Sequence, residues 1–112
     1  MTTISPNNDV VTLINVFTVP PEYQQRLVDL LIEATESVMS TLPGYVSANI
    51  HRGLDGRHVA NYAQWRSRED FEAMLQHPQA GTHMGEAAKL ATVEPNLYEV
   101  VYSDAAAQTA QS

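Results

Sequence analysis

Two alternating runs, "YVSANIHRG" (45–53) and "RHVANYAQW" (57–65), flank the short string "LDG" (54–56), and no other feature constrains the chain as much. β-Branched and aromatic residues favour strands, and Asp-Gly between two such runs marks a tight antiparallel hairpin. Before the hairpin, "VVTLINVFTV" (10–19) reads as a strand and "PPEYQQRLVDLLIEATESVMSTL" as a helix. Pro20 and Pro21 suit a first turn that needs no backbone donors. Leu27, Leu30, Leu31, Ala34 and Val38 then form one apolar face, and "PG" at 43–44 ends the helix. After the hairpin, Ser67 in "SRED" is placed to cap a short helix, "REDFEAMLQ", which stops near His77-Pro78. A second helical stretch, "QAGTHMGEAAKLA" (79–91), leads into a fourth strand, "TVEPNLYEVVYS" (92–103). The order β-α-β-β-α-(α)-β predicts an α+β, ferredoxin-like fold, with a four-stranded antiparallel sheet and helices on one face. The domain is expected to span 10–103, with flexible termini at 1–9 and 104–112.

Composition removes several function classes. The chain has 112 residues, a length for one domain. The formal charge is -7 with only six Lys and Arg, a poor match to a phosphate backbone, so no nucleic acid is expected. The absence of cysteine excludes disulfides and thiol chemistry. No apolar run approaches the roughly 20 residues of a membrane span. The start, "MTTISPNNDV", has no basic end and no apolar block, so the expected location is cytoplasmic.

Strands one and four carry apolar residues on both faces: Leu13 and Phe17 against Ile14 and Val16, Leu97 and Val101 against Val100. Helices cover only one face, and a bare apolar sheet would be a large sticky patch. A second copy of the chain, in a two-fold dimer of sheets, is the simplest cover.

The hairpin register decides which polar groups meet. A two-residue Asp55-Gly56 turn would pair His51 with Ala60. A three-residue turn with Gly56 left-handed would pair Gly53 with Arg57, His51 with Val59, Asn49 with Asn61 and Tyr45 with Trp65. The second register is the expectation. It gathers Tyr45, Ser47, Asn49, His51, Asn61 and Trp65 on one mixed polar and aromatic face, suited to a small-molecule pocket. Asn61 and Trp65 lie roughly 13 Å apart along the strand, within reach of one polycyclic ligand. Asn15 points with Leu13 and Phe17 and is expected in the same pocket.

The β-α-β-β-α-β order, a strand ending "VANYAQW", the "SRED" helix start and "HP" before the last helix resemble the antibiotic biosynthesis monooxygenase family. The likeness covers residues 10 to 102 and is strongest to quinone-forming members from aromatic polyketide pathways, for which Asn-Tyr-Ala-Gln-Trp is the most specific string. The resemblance implies a homodimeric α/β barrel that uses no metal, flavin or haem. It implies oxidation of a phenolic, anthrone-type polycycle by O2 to a quinone. Asn61 and Trp65 match the family's asparagine and tryptophan, which hold the substrate oxygen and the developing oxygenated intermediate. His51 matches a pocket histidine and would take the substrate proton. Phe71 stands at a tyrosine position of close relatives, and His83 or Met84 falls near a pocket arginine of others. The expected substrate pocket is Asn15, Phe17, Tyr45, Asn49, Phe71, Met74, His83 and Met84, around the catalytic set Asn61, Trp65 and His51.

Plainer readings stand beside these. Asn61 can satisfy a neighbouring backbone group or Asn49, and Trp65 can be core. His58 beside the turn reads as solvated and His77 as a helix-end residue. His77 and His83, six apart, do not share a helix face and make no metal pair. Asp70, Glu72 and Glu86 read as solvated helix faces. Two other function classes remain. A haem-degrading relative would use Asn15 and His83, but Met74 stands where such proteins carry tryptophan. A non-catalytic small-molecule-binding or stress-related dimer would show neither a Soret band nor turnover.

Overall fold

The computed structural model describes residues 2–107. Strand β1 (Val11–Thr18) leads through a 3-10 turn (Pro21–Tyr23) into helix α1 (Gln24–Ser37), then a second 3-10 turn (Met39–Thr41). Strands β2 (Tyr45–Arg52) and β3 (His58–Trp65) follow, then helices α2 (Arg68–Leu75) and α3 (Pro78–Leu90) and strand β4 (Thr92–Tyr98). The sheet order is β2-β3-β1-β4, every neighbour antiparallel. This is the ferredoxin-like fold expected from the element order.

The local signals act as their chemistry dictates. Ser67 accepts the Asp70 backbone N–H and caps α2. His77 does the same for α3, its Nδ1 accepting the Gln79 N–H at 3.3 Å ahead of Pro78. Gly44 has φ +84, and a Cβ there would lie 2.4 Å from the Asp70 side chain. Only glycine therefore lets the β2 entry close against the start of α2, where Arg66 donates its backbone N–H to Gly44 O at 2.7 Å.

All three helices cover one sheet face, over two adjoining clusters. Leu13, Val38, Ala63, Trp65, Phe71 and Met74 pack together toward α2, and Phe17, Leu27, Val28, Val59 and Ala87 pack beneath α1. Each side chain comes from the helix-facing register of its element.

The hairpin does not take the expected register. β2 pairs with β3 as Arg52↔Val59, His51↔Ala60, Ile50↔Asn61 and Ala48↔Ala63. Gly56 is left-handed as expected, at φ +78, but the loop holds one residue more than the expected turn and closes at Gly53, whose N–H donates to His58 O at 2.7 Å. Three interactions fix this closure. A Cβ on Gly53 would lie 2.7 Å from His58 O, so glycine permits the approach. The Asp55 carboxylate accepts the Arg57 N–H at 2.9 Å. From α1, buried Gln24 donates through Nε2 to both Gly53 O and His58 O at 3.0 Å. A β-bulge between Tyr45 and Ser47 then shifts the ladder, restoring the expected Tyr45↔Trp65 pair at the far end.

On the other sheet face, the N-terminal segment crosses the β2–β3 side. Gln64, 1% exposed, donates to Thr3 O at 2.6 Å and accepts from Ser47 at 3.3 Å, while Thr2 donates to Ser47 at 3.0 Å. Strand β4 is shorter than the expected 92–103. It ends with Tyr98 opposite Thr12, because β1 starts at Val11 and a turn over 5–8 carries the backbone away. Val101 and Tyr102 beyond it are 81% and 78% exposed. Of the expected flexible tail, residues 108–112 lie outside the described residues, as does Met1.

Candidate active site

Between the sheet and the helices lies a cavity of about 70 Å³, with Leu13, Asn15, Phe17, Ala48, Asn61, Ala63 and Trp65 on its floor. Helix α1 supplies its roof with Leu30, Leu31, Ala34 and Thr35, and Met74, His83, Met84 and Ala87 close its side. A groove of about 410 Å³ adjoins it, sharing Leu13, Asn15 and Met84 and bounded by Arg68, Phe71 and Glu72 of α2 and Pro95 to Leu97 of β4. Sites for drug-sized ligands span about 300–1,000 Å³. The inner cavity alone therefore holds only the reacting end of a polycycle, and the groove has room for the rest.

The polar floor is the pair Asn15 and Asn61, directly opposite across β1 and β3. Opposed residues on one face bring their Cβ atoms within about 5.5 Å, so both amides serve one ligand atom or two adjacent ones. Asn15 Oδ1 and Asn61 Oδ1 are buried without a hydrogen-bond partner among the described residues. An unpaired buried acceptor costs about 1–3 kcal/mol, and a ligand hydroxyl would relieve it. Trp65, 2% exposed, lies edge-on to Tyr45 (centroids 5.8 Å apart, planes at 89°) and to Phe71 (6.3 Å, 71°), which fixes its indole against the cavity. Burial pushes the Tyr45 phenol above its ordinary pKa, so it stays neutral.

The observed register assigns the expected residues to two places. Asn15, Phe17, Tyr45, Asn61, Trp65, Met74, His83 and Met84 line the cavity, and Phe71 lines the groove. Asn49 and His51 are corrected: they sit on the opposite sheet face from Asn61. Asn49 donates to Tyr62 O at 3.0 Å and to Thr2 Oγ1, and His51 is exposed with its Nδ1 donating to Asn49 O at 3.0 Å. The displacement follows from the loop, since a one-residue register change moves every side chain of the strand to the other face. Ile50 takes the place expected for Asn49, opposite Asn61, and Ala48, opposite Ala63, reaches the cavity floor. Its methyl, together with the α1 roof, was missing from the expected pocket, although the apolar face of α1 was already the signal for that roof. Among the described residues no group of three His, Asp or Glu side chains is placed to hold a metal ion.

Residues 10–86 match the family model described as antibiotic biosynthesis monooxygenase. The chain belongs to the antibiotic biosynthesis monooxygenase family. It is 45% identical over 103 residues to the tetracenomycin-F1 monooxygenase of Streptomyces glaucescens, with 92% of each chain covered. Its fold is also that of SnoaB, a cofactor-independent oxygenase from Streptomyces nogalater (26% identity, 94% of this chain and 100% of that one, TM-score 0.67). A monooxygenase from the gene ActVA-Orf6 of Streptomyces coelicolor, solved with nanaomycin D, superposes with a TM-score of 0.80 at 22% identity, covering 92% and 99%. The family member described here is accordingly a monooxygenase of antibiotic biosynthesis. No helix among the described residues is long and apolar enough to cross a membrane.

Proposed function

We propose that this monooxygenase oxidises a phenolic, anthrone-type polycycle with O2 to the corresponding quinone, within aromatic polyketide metabolism. The observation that carries the reading is the opposed Asn15–Asn61 pair, two amides with buried, unpartnered oxygens among the residues lining a mostly apolar, aromatic-walled cavity. A polycycle carrying a phenol beside a ring carbonyl is complementary to that pair. The phenolic O–H donates to an amide oxygen, and the amide N–H donates to the oxygen that gains charge as the substrate ionises. Trp65 supplies an aromatic wall and an N–H donor at one end of the site. Such a substrate is electron-rich once deprotonated and passes an electron to O2 directly. The protein's task is to favour the anion, exclude water and hold the oxygenated intermediate.

The same reading includes a homodimer. Ile14 and Val16 of β1 remain only half-buried on the open face, and Val101 and Tyr102 are exposed beyond β4. A cytoplasmic location accompanies it. Purified protein, dialysed against chelator, is to be mixed with a hydroxylated anthrone in air while quinone absorbance and oxygen uptake are followed. The expected result is one O2 consumed per quinone formed at an undiminished rate, from a particle of twice the chain mass by light scattering. Turnover that needs added metal or flavin, or a Soret band on haem titration with no quinone formed, would replace this reading.

A further inference from the structure

We infer that His83 is the proton acceptor of this site, with its tautomer set by its own helix. The inference rests on the proposed oxidation of an acidic phenolic polycycle. His83 lines the cavity from α3, and its Nδ1 lies 3.0 Å from Gln79 O, one helical turn back. A carbonyl oxygen only accepts, so Nδ1 carries the hydrogen. The neutral ring therefore presents Nε2 as its lone-pair nitrogen. With His51 on the opposite sheet face, His83 is the one imidazole on the cavity wall.

The other groups around it are accounted for. Among the described residues, Tyr45, at the β2 end, is the only other titratable side chain lining the cavity, and burial keeps it protonated. From α1, β1, β3 and β4 the walls are apolar or carry neutral polar groups (Asn15, Thr35 and Asn61). Arg68 and Glu72 of α2 border the adjoining groove and pair with each other at 3.4 Å. On α3 itself, Glu86 and Lys89 are exposed. Among the described residues no carboxylate or ammonium lines the cavity wall to compete for the proton.

Nε2 takes the proton from the reactive ring carbon, the C–H electron pair enters the ring system, and negative charge collects on the oxygen facing Asn61. Electron transfer to O2 and radical recombination form a C–O bond. The peroxide takes its proton from the imidazolium. Loss of the second C–H then breaks the O–O bond, giving the ring carbonyl and water. The ring carbon loses four electrons and O2 gains four.

Anaerobic binding separates the proton transfer from the oxygen chemistry. A hydroxylated anthrone is titrated onto the protein under argon, and the absorbance of its anion is followed against pH for wild type, His83→Gln, His83→Ala and His51→Gln, with melting curves to show that each is folded. Wild type is expected to form the bound anion at a pH well below that at which the free substrate ionises. In His83→Gln the band should appear only near the pH at which the free substrate ionises, with turnover at neutral pH reduced by roughly 10²-fold or more. Free imidazole should restore part of that rate to His83→Ala, and His51→Gln, on the opposite sheet face, should leave the midpoint where it is. An anion in His83→Gln with the wild-type midpoint, or no anion in wild type, overturns the assignment. If wild type forms the anion but yields no quinone when air is admitted, the oxidation reading falls and the base assignment stands.

Discussion

Replacing Asn61 by alanine separates a catalytic amide from a structural one. If Asn61 served the scaffold, its amide would be bonded in the empty protein, and truncation would leave buried partners unpaired at about 1–3 kcal/mol. Its Oδ1 is instead buried and unpartnered, and the residue it faces, Asn15, has an unpartnered Oδ1 as well. Truncation removes one of those penalties and gives up the packing of a small, half-buried side chain, two terms of similar size and opposite sign. The net change should lie within about 1 kcal/mol, which for a domain of this length is about 4–8 °C in Tm in either direction. The rate should behave differently. Loss of one preorganised oxyanion donor lowers kcat by about 10²–10³-fold, equivalent to about 2.7–4 kcal/mol of transition-state stabilisation. Thermal melts and steady-state quinone formation on the same preparation measure both. A variant that melts far below wild type yet turns over normally once folded would show that Asn61 is scaffolding.

Trp65→Phe keeps an aromatic between Tyr45 and Phe71 but removes the indole N–H, so kcat should fall while Tm drops less than in Trp65→Ala, where about 3–5 kcal/mol of core packing is lost. Gln24→Ala removes the side-chain donor from Gly53 O and leaves His58 O with only the Gly53 N–H, and should cost on the order of 1–3 kcal/mol by chemical denaturation, with faster amide exchange confined to the hairpin loop. The Arg66 guanidinium, and then the Ser67 hydroxyl, hold the Asp70 carboxyl below its ordinary pKa. A carboxyl depressed in the folded state contributes stability above its unfolded pKa and loses it as pH falls through the folded value. The Tm advantage of wild type over Asp70→Asn should therefore be full at neutral pH and shrink below about pH 4; an advantage that persists unchanged in strong acid would refute the linkage.

What the sequence determined by itself is what depends on period and local chemistry. The alternation in 45–53 and 57–65, the 3.6-residue period of the first helix, Ser67 and His77-Pro78 set the elements and their order, and order with short connections leaves few topologies for a four-stranded sheet. Strand alternation also placed Asn61 and Trp65 on one face, and the helix-facing side of β1 brought Asn15 with them. The hairpin register was decided elsewhere. Its choice between two loops a residue apart rests on Gln24, some thirty residues upstream, drawing Gly53 O and His58 O to one amide, and on the close approach that Gly53 allows. Gly53 and Asp55 lie within "IHRGLDGRH" and permit the closure, but the amide that draws the two carbonyls together does not. Because a strand repeats every two residues, this one choice sent Asn49 and His51 to the far face and brought Ala48 to the cavity. The second deciding fact was equally non-local: α3 folds back over the sheet and brings His83 to the wall where Asn61 stands, so the candidate base comes from a helix the hairpin never touches in sequence.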